Sequence, residues 1–274
     1  MRRYTNLEGC KKVLHLDLDG KKGIRSKNKD RVTLITGYEG SGKSTFALHL
    51  FEAWYNILDQ KISIDLINLF SDNQKGFVTA LNTAQKYQMV VHDEAGKDLY
   101  SRNAMSSFSK DLNVAYQVIR GSNLHTVLIL PHILDLDSFF RKRRVTQLFH
   151  VYEEGKIAYF TKKRLRQMMP KLIKMAQKNE EPDPLLAGNP LFFDTFGQYF
   201  GIFEQKYLEN KQKNIQEIKD YLCEKYVNDE HNTNTNNYNK YSESPINTEN
   251  NQEIKIKMTL AHLQKQLKIL SKKS

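Results

Sequence analysis

The feature that most constrains this chain is a glycine-rich octapeptide, GYEGSGKS, at positions 37–44. It follows a β-branched run, Val32–Thr36, and it leads into Ser44–Leu58, where apolar residues recur at helical spacing. Its three glycines allow the backbone to turn its N–H groups inward around an anion. The positive end of the helix dipole faces the same point. This order of strand, loop and helix therefore predicts a phosphate-binding turn.

Two side chains of the octapeptide have specific roles in phosphate chemistry. Lys43 is expected to reach the β- and γ-phosphates of a nucleotide, and the Ser44 hydroxyl is expected to coordinate Mg²⁺. The predicted cofactors are therefore ATP and Mg²⁺. The predicted nucleotide contacts are Gly37, Tyr38, Glu39, Gly40, Ser41, Gly42, Lys43, Ser44 and Thr45.

A second motif lies roughly fifty residues further on, where the apolar run Met89–His92 ends in two acids. Such a run predicts a buried parallel strand, and ligands collect at the carboxyl ends of such strands. Asp93 is predicted to lie beside the Mg²⁺, and Glu94 to act as the general base on the attacking water. A catalytic glutamate favours hydrolysis, and the lack of an NKxD guanine-reading motif favours ATP. Taken alone, the motif also fits an ordinary strand followed by a polar turn.

The rest of the pattern alternates strands and helices up to about Tyr152. This alternation predicts an α/β fold, a three-layer P-loop NTPase with a mostly parallel central sheet, followed by a small helical C-terminal region. The predicted strands are Val13–Asp17, Val32–Thr36, Ile62–Phe70, Met89–His92, Thr126–Leu130, Val145–Tyr152 and Lys156–Thr161. The predicted helices are Ser44–Leu58, Phe77–Lys86, Met105–Ile119 and Glu204–Tyr226.

Composition divides the chain into four regions. We predict an ATPase domain at 1–165, a basic helical region at 166–227, a disordered linker at 228–252 and a short amphipathic tail at 253–274. The linker is dominated by Asn, Thr, Ser and Glu, which bury too little apolar surface to offset chain entropy.

Three further side chains are candidates for the γ-phosphate end of the site. The strand Thr126–Leu130 is expected between the other two, and His132 near its end is a candidate sensor of the γ-phosphate. A purely structural histidine is the alternative. Arg120 and Arg141 are candidates for an arginine finger, which would act across a subunit interface on the transition-state charge. For each of them, a solvated or salt-bridged arginine is the alternative.

The net charge of the chain indicates what kind of molecule it binds. The chain carries 42 Lys+Arg against 31 Asp+Glu, a net charge of +11, which suits a polyanion such as nucleic acid. A protein encoded by an AT-rich genome is also rich in Lys and Asn, and it would show the same excess of positive charge. The segment Thr161–Lys178 contains seven basic residues and no acid, which fits either a phosphate-backbone contact or a solvated helix face. Since the sequence shows neither a signal peptide nor a membrane-length apolar run, a cytoplasmic protein is expected.

In their order, the segments GYEGSGKST, VVHDEA, IRGSN and TVLILPHILDLDSFFRKRRV resemble the ATPases with an additional strand and a catalytic glutamate. The layout is most similar to FtsK/HerA-like enzymes, among them viral and mobile-element DNA-packaging ATPases and zonula-occludens-toxin-like ATPases. The resemblance covers roughly residues 30–165, and it departs from the pattern at Pro131-His132, where a Thr, Asn or Gln sensor is usual. It implies a homo-oligomeric ring, commonly a hexamer, that couples ATP hydrolysis to DNA movement in the cytoplasm, in a host's cytoplasm or in association with a virion.

Two functions follow from these observations. The first is an ATP-hydrolysing motor acting on DNA, for packaging or transfer of a viral or mobile-element genome. The second is a cytosolic ATPase switch or assembly factor that acts on protein partners without moving DNA. Under the second, the C-terminal region binds a protein partner.

Overall fold

The computed structural model describes residues 6–93, 116 and 119–236. The chain divides into two compact units, residues 1–217 and 218–274. Every contact discussed below belongs to the first unit. The predicted base Glu94 and most of the predicted helix Met105–Ile119 lie outside the described residues, as do the tail and most of the linker.

The described elements alternate in type along the chain. The strands are β1 (Arg31–Gly37), β2 (Phe70–Ser71), β3 (Met89–His92), β4 (His125–Ile129), β5 (Gln147–Glu153), β6 (Lys156–Thr161) and β7 (Phe192–Thr195). The α-helices are α1 (Glu8–Asp19), α2 (Ile24–Lys27), α3 (Lys43–Ile57), α4 (Gln74–Thr83), α5 (Ser138–Arg143), α6 (Lys162–Gln177), α7 (Pro184–Ala187) and α8 (Glu204–Asn236). Short 3₁₀ helices occupy Ile64–Leu69, Ile119–Ser122 and Ile133–Asp135.

The strands form one seven-stranded sheet in the order β2-β3-β4-β1-β5-β6-β7. Pairing is parallel from β2 through to β5 and antiparallel for β5–β6 and β6–β7. β4 therefore lies between the glycine-loop strand β1 and the acidic-motif strand β3, as the sequence predicts. The predicted α/β fold with a mostly parallel central sheet is confirmed.

Helices cover both faces of this sheet. Trp54 of α3 packs edge-to-face on His125, with 4.5 Å between ring centroids. Thr126 is the next residue of β4 and points to the opposite face. There it lies against Tyr116, whose ring packs on Phe140 of α5 at 4.9 Å. The fold thus has three layers, and its central strands are apolar because neither face meets water.

A row of buried polar groups fastens α1 to the sheet. Gln147 donates through Nε2 to Asp17 Oδ2 at 2.6 Å and to Thr33 Oγ1 at 2.8 Å. Thr33 Oγ1 also lies 2.8 Å from His125 Nε2. Burial lowers the pKa of His125 to about 3, with the charge of Arg31 adding to the effect, so its imidazole is neutral at pH 7. Gln147 and Thr33 thus link Asp17 of α1 to His125 of β4 through buried hydrogen bonds.

Two predicted strands are wrong. Val13–Asp17 lies inside α1, because Cys10, Val13, Leu14 and Leu18 share one buried helical face that the five-residue alternation did not reveal. Ile62–Phe70 is mostly a 3₁₀ helix, in which the Ser63 side chain accepts from the backbone N–H of Asp65. That local hydrogen bond competes with strand pairing and leaves only the two-residue β2.

Toward the C-terminus, the sheet and helices continue past residue 165, the end of the predicted ATPase domain. The basic segment forms α6, and β7 pairs with β6 to extend the sheet. α8 continues to Asn236, so the first residues of the predicted linker are helical. Among the described residues, no helix is long and apolar enough to cross a membrane.

Candidate nucleotide-binding site

The glycine loop connects the carboxyl end of β1 to the first residue of α3. Gly40 and Gly42 have φ angles of 77° and 89°, in the left-handed region that glycine adopts without a Cβ clash. Gly37, with φ of 150°, lies so close to β5 that an added Cβ would stand 2.3 Å from the Val151 carbonyl oxygen. On the other side, the Gly37 N–H donates to the Pro131 carbonyl at 3.1 Å. The neighbouring strands therefore set where the loop begins.

Two polar groups of the loop are arranged to bind an anion. Lys43 donates from Nζ to the carbonyls of Gly37 at 2.8 Å and Tyr38 at 2.6 Å, which holds its ammonium across the loop. The Ser41 hydroxyl is buried and has no hydrogen-bond partner within the described part of the chain. A buried unpaired donor is costly, and a phosphate oxygen would satisfy it. The loop therefore fits a phosphate.

Asp93, at the end of β3, is buried beside the helix α8. Its backbone N–H donates to the Ser71 carbonyl at 2.7 Å, which fixes the turn after the strand. Tyr207 of α8 donates its hydroxyl to Asp93 Oδ2 at 3.1 Å, and the Ser44 side chain lies close to the same phenol. Burial, and then the charge of Asp93, raise the pKa of Tyr207 well above its usual value, so the phenol is a donor at pH 7. Ser44 and Asp93, the predicted metal ligands, thus both lie near the Tyr207 hydroxyl.

The oxygen donors of Ser44 and Asp93 fit magnesium. Mg²⁺ prefers hard oxygen ligands and usually takes one or two from protein, with phosphates and waters completing its shell. Within the described residues, no cluster of three or more His, Cys, Asp and Glu could hold a metal by itself. Ser44 and Asp93 would hold such an ion together with the phosphates of a nucleotide.

His132 lies after β4 as predicted, and it has two local partners. Its Nε2 is 3.6 Å from Glu181 Oε1, and its backbone N–H donates to Asp135 Oδ2 at 3.0 Å, which caps the 3₁₀ helix Ile133–Asp135. These contacts give His132 a structural role at the end of β4. A sensor role for its ring stays a prediction.

His150 is a site residue that the sequence analysis missed. It lies on β5 opposite Thr36, with Nδ1 3.0 Å from Thr36 Oγ1 and Nε2 3.8 Å from Asp183 Oδ1. Burial lowers its pKa to about 4; Asp183 opposes this shift, and the charges of His132 and Lys43 add to it. A neutral His150 therefore lies near Lys43 at pH 7. It belongs to no motif, so only the β1–β5 register reveals it.

Two carboxylates lie near the mouth of the loop. Burial raises the pKa of Tyr38, and the charges of Glu181 and Asp183 raise it further. Both acids belong to the connection between α6 and α7, and both also face a histidine of the site. The electrostatic surroundings of Lys43 are therefore mixed rather than purely positive.

The aromatic segment after β7 supports the loop from the other side. The ring of Phe196 packs on Phe46 of α3 with 5.3 Å between centroids, and its edge would lie 3.3 Å from a Cβ on Gly42. His49 of α3 contacts the Gly197 carbonyl at 3.1 Å through Nε2. Any side chain at position 42 would meet this aromatic wall, which is a second reason for glycine there.

The arginine candidates differ in what the structure describes. Arg141 of α5 is half-buried and donates from Nη1 to the carbonyls of Ile133 at 3.3 Å and Leu136 at 3.1 Å. Burial lowers its pKa, and Asp137 opposes this. Its guanidinium is thus held by backbone carbonyls of the preceding segment of the same chain. Arg120 lies in the 3₁₀ helix Ile119–Ser122, and its side chain is outside the described set.

Comparisons with known proteins give weak structural likenesses. A scan against family models and a search of curated proteins both returned no match. The genome packaging NTPase B204 from Sulfolobus turreted icosahedral virus 2, in complex with ATP-gammaS, is 12% identical, with 49% of this chain and 93% of that chain covered and a TM-score of 0.37. The N-terminal domain of zonular occludens toxin from Neisseria meningitidis is 13% identical, with 64% and 98% covered and a TM-score of 0.35.

The FIGL-1 AAA domain in complex with ADP is a further structural neighbour, 19% identical, with 54% of this chain and 53% of that chain covered and a TM-score of 0.35. At this level of similarity, the likeness says nothing about activity, substrate or partner.

We predict that Gly37→Ala destabilises the chain far more than Gly40→Ala does. The added methyl at position 37 would overlap the Val151 carbonyl oxygen, whereas the same methyl at position 40 has nothing within 4 Å. Expected losses of unfolding free energy are about 2–4 kcal/mol for Gly37→Ala, from strain and overpacking, and about 1 kcal/mol for Gly40→Ala. Urea denaturation of both variants measures the difference. Equal losses would contradict the close approach of β1 to β5.

Proposed function

We propose that this chain is an ATP hydrolase that works in an oligomer as a motor on DNA, for the packaging or transfer of a viral or mobile-element genome. The proposal places it in the cytoplasm of its cell or host, or in association with a virion. The observation that carries it is the convergence of Lys43, Ser44 and buried Asp93 at the carboxyl edge of the sheet. The strand order, with β4 inserted between β1 and β3, supports the class of ATPases with an additional strand, including the FtsK/HerA-like enzymes.

The residues of the loop divide the work of hydrolysis. Backbone N–H groups from Gly40 to Ser44 hold the phosphates, while Lys43 leaves the carbonyls of its own loop to pair with the β- and γ-phosphates. Bound magnesium would neutralise charge that develops on the phosphates during the reaction. Glu94 directly follows Asp93 and is assigned the proton of the attacking water. His132, at the end of β4, is the assigned sensor.

A basic face of α6 supports DNA as the partner. Leu165, Met168 and Leu172 bury one side of this helix against the sheet. Arg164 is engaged with the carbonyls of Asn189 and Pro190, and Lys171 with that of Leu186. Three exposed basic residues of the helix remain to meet a phosphate backbone, namely Lys163, Arg166 and Lys174. Contacts of this kind release counterions and are therefore sensitive to salt.

The need for an arginine finger supports an oligomer. Transition-state charge on the γ-phosphate needs a cation beyond Lys43, and in ring ATPases of this class a neighbouring subunit supplies it. Arg120 is the first candidate, because Arg141 is held by carbonyls of its own chain. A homo-oligomeric ring, as a hexamer, would bring such a residue to each site.

We predict that Lys43→Ala abolishes binding of ATP, because it removes the cation that pairs with the phosphates. Glu94→Gln is the matched variant: it should bind ATP like the unmodified chain while losing hydrolysis by about 10²-fold or more, as expected for loss of a general base. Equilibrium binding of labelled ATP and phosphate release are measured on both. Normal turnover by Lys43→Ala would reject the site, and normal turnover by Glu94→Gln would reject Glu94 as the base.

We predict that double-stranded DNA stimulates the ATPase rate and that this stimulation falls steeply between 50 mM and 200 mM salt, as phosphate contacts require. Replacing Lys163, Arg166 and Lys174 together by Glu should remove the stimulation and keep the basal rate. The control carries the same charge change on other exposed lysines, Lys12, Lys21 and Lys22, and should respond to DNA normally. A rate indifferent to DNA at both salt concentrations would reject the motor and favour the switch that acts on protein partners.

A further inference from the structure

The hydroxyl of Tyr207 occupies a point between the two residues assigned to magnesium. It donates to Asp93 Oδ2 at 3.1 Å and lies close to the Ser44 side chain. Tyr207 stands near the start of α8, 114 positions from Asp93 in the sequence, so helix and strand meet only through folding. A tyrosine in this place is unexpected, because that space is needed when a nucleotide is bound.

Magnesium coordination explains why the space is needed. Its ligands form an octahedron about 2.1 Å from the ion, so that neighbouring ligands lie about 3 Å apart. With the Ser44 hydroxyl as one ligand, a water bound to the ion beside it would lie within hydrogen-bond distance of Ser44 and could reach Asp93. The Tyr207 hydroxyl already makes the hydrogen bond to Asp93 that this water would make. A neutral phenol is also a poor replacement for that water as a ligand of the ion.

We propose that Tyr207 holds the place of a magnesium-bound water in the nucleotide-free chain, and that binding of a magnesium nucleotide displaces it and releases the start of α8 from Asp93. The inference rests on the proposed ATP site. It assigns to residues 204–217 a conformation that depends on the state of that site. The hydrolysis cycle would thereby alternately dock and free this segment.

The contacts of the segment are consistent with a reversible attachment. Tyr207 packs edge-to-face on Phe70 at 5.3 Å, and Lys211 Nζ donates to the Tyr207 hydroxyl at 3.3 Å. About two helical turns after Tyr207, Asn214 donates to Asp72. Leu208 and Ile215 of the same segment are exposed. Tyr207 also packs against the apolar core, and the polar ties of the segment to the rest of the fold run to Asp93 and Asp72. Losing the Asp93 contact therefore removes one of its polar ties.

Hydrogen–deuterium exchange on the full chain tests the inference directly. It is measured without nucleotide, with ATPγS and EDTA, and with ATPγS and Mg²⁺. We expect exchange in residues 204–217 to rise only in the arm with Mg²⁺, while residues 37–45 become protected in both nucleotide arms. Protection of the loop with unchanged or slower exchange in 204–217 would overturn the inference and leave the proposed site standing. No protection of the loop in any arm would overturn both.

A conservative substitution gives a second readout. Tyr207→Phe keeps the ring on Phe70 and removes the hydroxyl, so the affinity for ATPγS with Mg²⁺ should rise about tenfold, as for loss of a competing hydrogen bond to a charged group. Affinity in EDTA should not change. Tyr87→Phe, at the opposite end of β3, is the control and should match the unmodified chain in both conditions. Weaker binding by Tyr207→Phe with Mg²⁺ would show that Tyr207 supports the ion instead of competing with it, which would overturn the inference.

Discussion

The approach of the β1 backbone to its neighbours is the constraint on which the site depends. Gly37 lies against the Val151 carbonyl of β5 on one side and donates to the Pro131 carbonyl after β4 on the other. With both flanks fixed, the chain leaves the sheet at a set point, turns through two positive-φ glycines and enters α3 at Lys43. The parallel register of β3 and β4 then brings Asp93 to the same edge. The position of the candidate phosphate site thus follows from strand packing, because the neighbouring strands fix where the loop begins and where Asp93 lies.

Electrostatics at this edge are balanced by burial. Lys43 is the central cation, and the neighbouring His150 is kept neutral because the protein interior disfavours its charged form. Glu181 and Asp183 approach the same region from the connection between α6 and α7. A phosphate at the loop would meet the Lys43 ammonium, the Ser41 hydroxyl, which has no partner among the described residues, and two carboxylates at the mouth. Such a balance favours a ligand that brings its own cation, as a magnesium nucleotide does.

The sequence predicts the part of the fold where local pattern and buried environment agree. β1, β3, β4, β5 and β6 are short apolar runs bounded by turn residues, and the glycine spacing of the loop predicts the turn that joins β1 to α3. The segment Val13–Asp17 of α1 is predicted as a strand because five alternating residues fit a strand as well as a helix. The buried face of the helix includes Asp17, an acid whose burial is explained only by its hydrogen bond to Gln147. β7 carries no strong pattern of its own; it is held by pairing with β6 and by the Asp194 carboxylate, which accepts from the Cys10 N–H at 2.8 Å.

The same distinction applies to the site. Lys43, Ser44 and Asp93 were predicted because their spacing is imposed by chemistry within short segments. His150 and Tyr207 were not, because each reaches the site through long-range packing that no local pattern encodes.

A crystal structure with ATPγS and Mg²⁺ tests the central claim most directly. The account predicts the γ-phosphate within the loop of residues 37–45, with Lys43 turned from the Gly37 carbonyl to the phosphates and the ion between Ser44 and Asp93. A nucleotide bound elsewhere, or a loop that keeps Lys43 on its own carbonyls at saturating nucleotide, would contradict it.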